Sequence, residues 1–170
     1  MARRISFFGA AAASLLTVLA VAGCGGSSNN TATPTTANGS AATIGVANGG
    51  DLGDILVNSQ GRTLYLFLKD SGTKSECTGA CAVNWPPLRT SGKPTEGNGA
   101  NASLVGTTSR PDGKGQLTYN GHPLYLFSGD KEAGDANGEG LNVFGGSWYA
   151  LSPAGAEIAP PANSGGGYGY

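Results

Sequence analysis

A ten-residue segment that occurs twice constrains the fold of this chain more than any other feature. The segment reads GRTLYLFLKD at Gly61–Asp70 and GHPLYLFSGD at Gly121–Asp130. Both copies keep the glycine, the apolar centre LYLF and the final aspartate, and a tryptophan follows each copy, Trp85 in NWPPL and Trp148 in SWYAL. Because repeated supersecondary units pack together to bury a shared core, we expect two pseudo-equivalent units.

Each copy is predicted to be a strand that ends in a turn. Residues two apart in a strand share a face. The aromatic residues of the first copy therefore point to one side, and its leucines, Leu64, Leu66 and Leu68, point to the other. Apolar side chains on both faces indicate a strand that is buried on both sides. Asp70 and Asp130, which end the two copies, are predicted to accept backbone N–H groups of the turns that follow.

Turn signals divide the rest of the central region into short strands. Asn-Gly separates QLTY from HPLYLF, NSQG separates DILV from TLYLFL, and RPDGKG separates SLVGTTS from GQLTY. Only the stretch around Cys77 to Trp85 has helical character. We therefore predict an all-β fold, a small antiparallel sheet domain built from two pseudo-equivalent hairpin repeats. The domain spans residues 44–158, with repeat 1 at about 51–90 and repeat 2 at about 103–153.

The N-terminal segment is typical of an export signal. Arg3 and Arg4 precede an apolar run that ends in VAGC, with the cysteine at position 24. This ending resembles the bacterial lipobox, so residues 1–23 are predicted to be a lipoprotein signal peptide and Cys24 to carry a diacylglyceryl group. A transmembrane anchor is the alternative, since the run lies at the short end of the spanning range. Residues 24–43 are predicted to be a flexible tether and residues 159–170 a disordered tail.

The charge of the exported chain argues against nucleic acid as a partner. Removal of the signal peptide leaves eight basic and eleven acidic side chains, a net charge of −3, whereas nucleic-acid binding needs a basic face. Attachment to the membrane is expected to come from the acyl chains, each buried methylene of which contributes about 0.8 kcal/mol. An envelope ligand or protein is the other expected partner.

The two cysteines that remain, Cys77 and Cys81, are predicted to form a disulfide, because exported proteins occupy an oxidising compartment. The alternative is a copper or zinc site made by Cys77, Cys81 and His122, the only histidine of the chain. The segment with Asp135, Asn137 and Glu139 is predicted to be a solvated glycine-rich loop, with a loose calcium site as the alternative. We expect no cofactor and no catalytic residues, because no nucleophile–base pair or other catalytic motif is found.

Together these segments identify a resemblance to a known family. The lipobox, GRTLYLFLKD, CTGACAVNWPPL, YNGHPLYLFSGD and GLNVFGGSWYAL are similar to the bacterial secreted-repeat lipoproteins with a Y-x-[FWY]-x-x-D motif. The family has no established activity, so the resemblance implies a cell-surface lipoprotein and no reaction. It marks as family-typical the positions Tyr65, Asp70, Cys77, Cys81, Trp85, His122, Tyr125, Asp130 and Trp148.

These observations lead to one functional expectation and one alternative. We expect a lipid-anchored extracytoplasmic envelope protein that acts as a non-enzymatic binding or structural module. The alternative is an extracytoplasmic lipoprotein that handles redox chemistry or a metal, copper or zinc, through its cysteines and its histidine.

Overall fold

The computed structural model describes residues 41–158. The predicted signal peptide, the lipidation site Cys24, the tether up to residue 40 and the tail 159–170 therefore lie outside the described residues. The first strand begins at Thr43, one residue before the predicted start of the domain.

Short strands make up most of the described chain, as predicted. A single turn of α-helix lies between the third and fourth strands, inside the stretch for which helical character was predicted. The elements in chain order are β1 (Thr43–Asn48), β2 (Asp54–Asn58), β3 (Tyr65–Phe67), α1 (Ala80–Asn84), β4 (Arg89–Thr90), β5 (Thr95–Glu96), β6 (Val105–Ser109), β7 (Gly115–Tyr119), β8 (His122–Pro123), β9 (Asn142–Val143) and β10 (Gly146–Ala150).

The strands form three small sheets. One sheet has the order β2-β1-β5, the second β3-β10-β9, and the third β4-β7-β6 with β8 also paired to β7. Every pairing is antiparallel except the two-residue contact of β1 with β5. The predicted all-β, antiparallel fold is confirmed, although the single sheet of the prediction is divided into three.

Local turn chemistry explains the hairpins. Asn120 and Gly121 connect β7 to β8 with φ angles of 48° and 82°, and a two-residue turn of this kind requires positive φ at both positions. In the first repeat Asn58 shapes the turn after β2, because its Oδ1 accepts the N–H groups of Gln60 and Arg62 at 2.9 and 3.0 Å. The predicted hairpins are therefore present in both repeats.

The two faces of the repeated strands pack into two different cores. The aromatic residues Tyr65, Phe67 and Tyr125 lie in one core, which we call the aromatic cluster, and Leu64 and its equivalents lie in the other, which we call the leucine cluster. The aromatic cluster contains Ile55, Val57, Tyr65, Phe67, Cys77, Cys81, Trp85, Tyr125, Trp148 and Ala150. The leucine cluster contains Ile44, Leu56, Leu64, Leu66, Leu88, Leu117, Tyr119, Leu124 and Leu151.

Leu68 departs from the predicted pattern. Its side chain is 51% exposed, whereas alternation placed it on the buried face with Leu64 and Leu66. The reason is that β3 ends at Phe67, so Leu68 already belongs to the turn that leads to Asp70. The prediction of burial on both faces is wrong at this residue and correct for the preceding four.

The segments that carry the tryptophans are exchanged between the repeats. The repeat 2 strand β10 pairs with the repeat 1 strand β3, with Trp148 opposite Phe67. The second copy of the motif is not the continuous strand that was predicted: β8 ends at Pro123, and Tyr125 forms only isolated bridges, to Tyr65 and Pro87. The Trp85 segment of repeat 1 lies along this copy, where Leu126 N–H donates to the Pro86 carbonyl at 2.9 Å. Each repeat therefore completes the sheet of the other.

The same exchange is visible in the leucine cluster. Leu64 N–H donates to Leu56 O, Leu56 N–H to Leu151 O and Leu151 N–H to Leu64 O, at 2.8–3.3 Å. An equivalent closed ring joins three other leucines at 2.8–2.9 Å, Leu124, Leu117 and Leu88. Each ring takes two leucines from one repeat and the third from the other repeat. The backbone polar groups at the centre of the domain are thereby satisfied across the boundary between repeats.

Candidate functional site

The motif tyrosines meet at the centre of the domain. Tyr65 and Tyr125 exchange two backbone hydrogen bonds, at 2.9 and 3.0 Å. Each phenol then reaches the aspartate of the opposite repeat: Tyr65 Oη donates to Asp130 Oδ2 at 2.8 Å, and Tyr125 Oη donates to Asp70 Oδ2 at 2.7 Å. The repeated tyrosine and aspartate therefore form two reciprocal pairs, and both pairs join one repeat to the other.

The second oxygen of each aspartate organises its own loop. Asp70 Oδ1 accepts the N–H of Glu76 at 2.8 Å, and Asp130 Oδ1 accepts the N–H of Asn137 at 2.9 Å. This confirms the prediction that the aspartates bond the backbone of the segments that follow them. The cross-repeat bonds to the tyrosines were not predicted, because sequence spacing carries no information about which tyrosine lies beside which aspartate.

Burial governs the electrostatics of these pairs. It raises the pKa of Asp70 to about 6, against the lowering effect of its bonds to Glu76 N–H and to Tyr125. Burial likewise raises the pKa of Asp130. The phenol pKa values of Tyr65 and Tyr125 are raised as well, first by burial and further by the neighbouring carboxylates. The phenols therefore remain protonated donors at every physiological pH.

Four aromatic rings stack through the middle of the aromatic cluster. Trp85 and Trp148 lie face to face with ring centroids 3.9 Å apart. Phe67 covers the far side of Trp148 at 4.0 Å, and Phe127 covers Trp85 at 4.4 Å. We call these four rings the aromatic column. Successive rings come from repeats 1, 2, 1 and 2, so the column exists only when both repeats are present.

The motif tyrosines brace the column from its sides. Tyr65 meets Trp85 edge to face at 5.3 Å, and Tyr125 meets Trp148 in the same way at 5.1 Å. Stacked and edge-to-face pairs of this kind contribute about 0.5–1.5 kcal/mol each beyond the burial of their area. Both tryptophans and both tyrosines are fully buried.

A buried arginine joins the motif to the disulfide loop. Arg110 donates to Gln116 Oε1 at 2.6 Å, to the Cys77 carbonyl at 2.6 Å and to the Ser75 hydroxyl. Ser75 is in turn a partner of the Tyr125 phenol at 2.7 Å. The sequence did not single out Arg110, because it begins the RPDGKG turn cluster and nothing in that pattern marks it as buried.

Cys77 and Cys81 form the predicted disulfide, with Cα atoms 5.2 Å apart. The bridge spans the start of α1, and Trp85 N–H donates to the Cys81 carbonyl at 2.7 Å where that helix ends. The bond therefore fixes the loop that delivers Trp85 to the aromatic column. Since both sulfurs are used in this bond, neither is a thiolate that a metal ion needs.

His122 lies in β8 opposite Tyr119 and is partly exposed. Arg62, which occupies the equivalent place in repeat 1, donates to the Phe127 and Asp130 carbonyls at 2.8 and 2.9 Å. Between residues 41 and 158, no group of three or more His, Cys, Asp or Glu side chains is arranged to hold a metal ion. The structure therefore gives no support to the alternative site of Cys77, Cys81 and His122.

The residues of the alternative calcium site are engaged separately. Asp135 Oδ2 accepts the N–H groups of Lys131 and Glu132 at 2.7 and 2.9 Å, while Glu139 Oε2 accepts that of Ala150 at 2.7 Å. Asn137 donates its backbone N–H and its side-chain Nδ2 to Asp130 Oδ1. The acidic side chains of this segment therefore accept backbone N–H groups of the loop and of β10.

None of the helices in the described range is long and apolar enough to cross a bilayer.

Comparison with known proteins identifies the repeats. A family model described as a secreted repeat of unknown function matches residues 48–89 and 106–152, together just over half of the chain. The two matches coincide with the two predicted repeats within a few residues. Neither the curated proteins nor the solved structures gave a match. The chain therefore belongs to the family of secreted repeats of unknown function, and it is an extracytoplasmic protein.

Proposed function

We propose that the protein is a lipid-anchored envelope protein that acts as a non-enzymatic binding or structural module. One observation supports the non-enzymatic part: the aromatic residues of the repeated motif are buried in the core. Tyr65, Tyr125, Trp85 and Trp148 are fully buried, and each tyrosine is bonded to a carboxylate of the other repeat. A catalytic constellation needs groups that reach a substrate, whereas these groups reach one another.

The anchor is supported by the cysteine inventory. The chain has three cysteines, and two of them are joined in the disulfide. Cys24, at the end of the VAGC segment, is the third. Lipidation of Cys24 would attach the domain to a membrane through acyl chains, which suits an exported chain that carries a net negative charge and has little attraction to anionic lipid.

Replacing Cys24 with Ala tests the anchor. We expect the variant to accumulate as an unlipidated precursor that takes up no radioactive palmitate. Cys77→Ser is the matched control, because it also removes one sulfur and should still be labelled and retained in the membrane fraction. Normal processing and labelling of Cys24→Ala would overturn the proposal of an anchor.

A second experiment tests the non-enzymatic role. Tyr65→Phe and Tyr125→Phe remove only the phenol oxygens from the two reciprocal pairs. The cellular effect of each variant, compared with a strain that lacks the protein, should follow the amount of folded protein in the envelope. A tyrosine variant that is present at the normal folded level but has lost its cellular effect would show that the motif acts in chemistry or recognition.

A further inference from the structure

The contacts between the two repeats have the character of a binding interface. Each repeat lacks half of the aromatic column, one leucine of its backbone ring and the acceptor for its buried phenol. The other repeat supplies all three. Because the contacts are reciprocal, the interface resembles the isologous kind that joins two-fold homodimers.

Only a short exposed part of the connection between the repeats lies outside both cores. After β4 the chain runs through Ser91, Gly92 and Lys93, which are all exposed, before Thr95 begins β5. β4 pairs with β7 of repeat 2, while β5 pairs with β1 ahead of repeat 1. Both ends of the connection are therefore fixed by pairing, and the polar segment between them contributes no residue to either core cluster.

We infer that the same interface also joins two chains, so that repeat 1 of one copy pairs with repeat 2 of a second copy. In this reciprocal dimer each aromatic column, each tyrosine–aspartate pair and each leucine ring is remade with identical partners. The closed monomer is then favoured only by the proximity that its connection provides. Short linkers give effective concentrations up to the millimolar range, so the dimer becomes competitive as the chains approach that concentration.

The first test separates the repeats after folding. A protease recognition sequence is inserted between Gly92 and Lys93 of the exported chain, produced without lipid, and the folded protein is then cut. We expect both pieces to remain together as a one-to-one complex in native mass spectrometry and to recover this complex after denaturation and refolding. Trp148→Ala in the same cleavable chain is the control and should weaken the retention of the pieces.

Two outcomes of the cutting experiment would overturn the inference. In one, the pieces separate under native conditions. In the other, one piece alone gives a dispersed NMR spectrum as a monomer, which would show that a repeat needs no partner.

The second test uses the intact chain. Isotope-labelled and unlabelled copies, both without lipid, are mixed, unfolded and refolded at concentrations from about 10 μM to about 1 mM, where the effective concentration given above begins. We expect mixed dimers whose fraction rises with concentration. Monomer alone across the whole range would contradict exchange between chains. The anchor has no part in either test, so the result is independent of the proposed lipidation.

Discussion

Each repeated aspartate, Asp70 and Asp130, uses its two oxygens for two different contacts. One oxygen holds the loop of its own repeat, and the other receives a phenol from the opposite repeat. A side chain that bonds across a boundary makes the energies of its two partners interdependent. The repeated tyrosines and aspartates therefore couple the stability of one repeat to that of the other.

A double-mutant cycle measures this coupling. Tyr65→Phe, Asp130→Ala and the double variant should give a coupling energy of about 1–2 kcal/mol, because a hydrogen bond to a charged acceptor is lost with either partner. The matched control pairs Tyr65→Phe with Asp70→Ala, the aspartate of the same repeat, and should be additive. Urea denaturation provides the free energies. Coupling to Asp70 in place of Asp130 would contradict the reciprocal pairing.

The raised pKa of Asp70, about 6 against an ordinary value of 3.8, predicts a pH dependence of stability. Between these values the folded protein holds a proton that the unfolded chain has released. This carboxyl therefore contributes most below about pH 4, and its contribution is lost as the pH rises through about 6. The difference in unfolding free energy between Asp70→Asn and the wild type should therefore rise in favour of the variant from pH 4 to pH 7.

Urea denaturation at several pH values checks this expectation. Asp51→Asn, at an exposed position, controls for the loss of one negative charge. A difference between the wild type and Asp70→Asn that stays constant with pH would show that Asp70 titrates normally in the folded protein.

The loops bring their own constraints to the aromatic cluster. Gly138 is buried, and a Cβ atom there would lie 2.7 Å from Trp85 and 2.9 Å from Tyr65. We expect Gly138→Ala to cost about 1–3 kcal/mol by overpacking. Gly92→Ala, where the nearest atom is 4.0 Å away, is the control and should be close to neutral in thermal unfolding. Equal effects at both positions would mean that the Gly138 loop yields easily.

The disulfide loop is predicted to be modestly stabilised by its bond. Closing so short a loop contributes about 2 kcal/mol in the chain-entropy model. Reduction should lower the unfolding free energy by about this amount while the far-UV circular dichroism of the strands is retained. Mass spectrometry of the native protein after alkylation should find neither Cys77 nor Cys81 modified. Two alkylated cysteines in native protein would show that the thiols are free.

Sequence patterns predicted the elements that depend on local chemistry. The Asn120–Gly121 turn, the short helix and the disulfide are local, and alternation assigned Tyr65 and Leu64 to opposite faces correctly. The exchange of the Trp85 and Trp148 segments could not be predicted. Both segments carry the pattern Trp-x-x-Leu, at Trp85–Leu88 and Trp148–Leu151, so the sequence does not show which copy of the motif each segment joins. The end of β3 before Leu68 was missed for a similar reason, since alternation alone does not show where a strand stops.

Because the repeats share their cores, the described domain is expected to unfold in one step. The two tryptophans, the only ones in the chain, lie between the repeats and report on their separation, whereas circular dichroism reports on the strands. The two signals should change at the same urea concentration. Leu64→Ala, in the leucine cluster, should lower the free energy of unfolding by about 2–5 kcal/mol and move both transitions together to lower urea concentration. Two separate transitions would show that each repeat is stable without the other.

The exchanged tryptophan segments also have a consequence for how chains of this type can grow. Each repeat places its tryptophan segment in the other repeat and receives the other's segment in return. Because this exchange is reciprocal, repeats are expected to fold in pairs. Adding a third copy to the gene would leave one unit with an unfilled core and an unbonded phenol, whereas adding two copies would not. Repeat number in a self-contained chain is therefore expected to be even, and a chain with an odd number would have to find its missing half in another molecule.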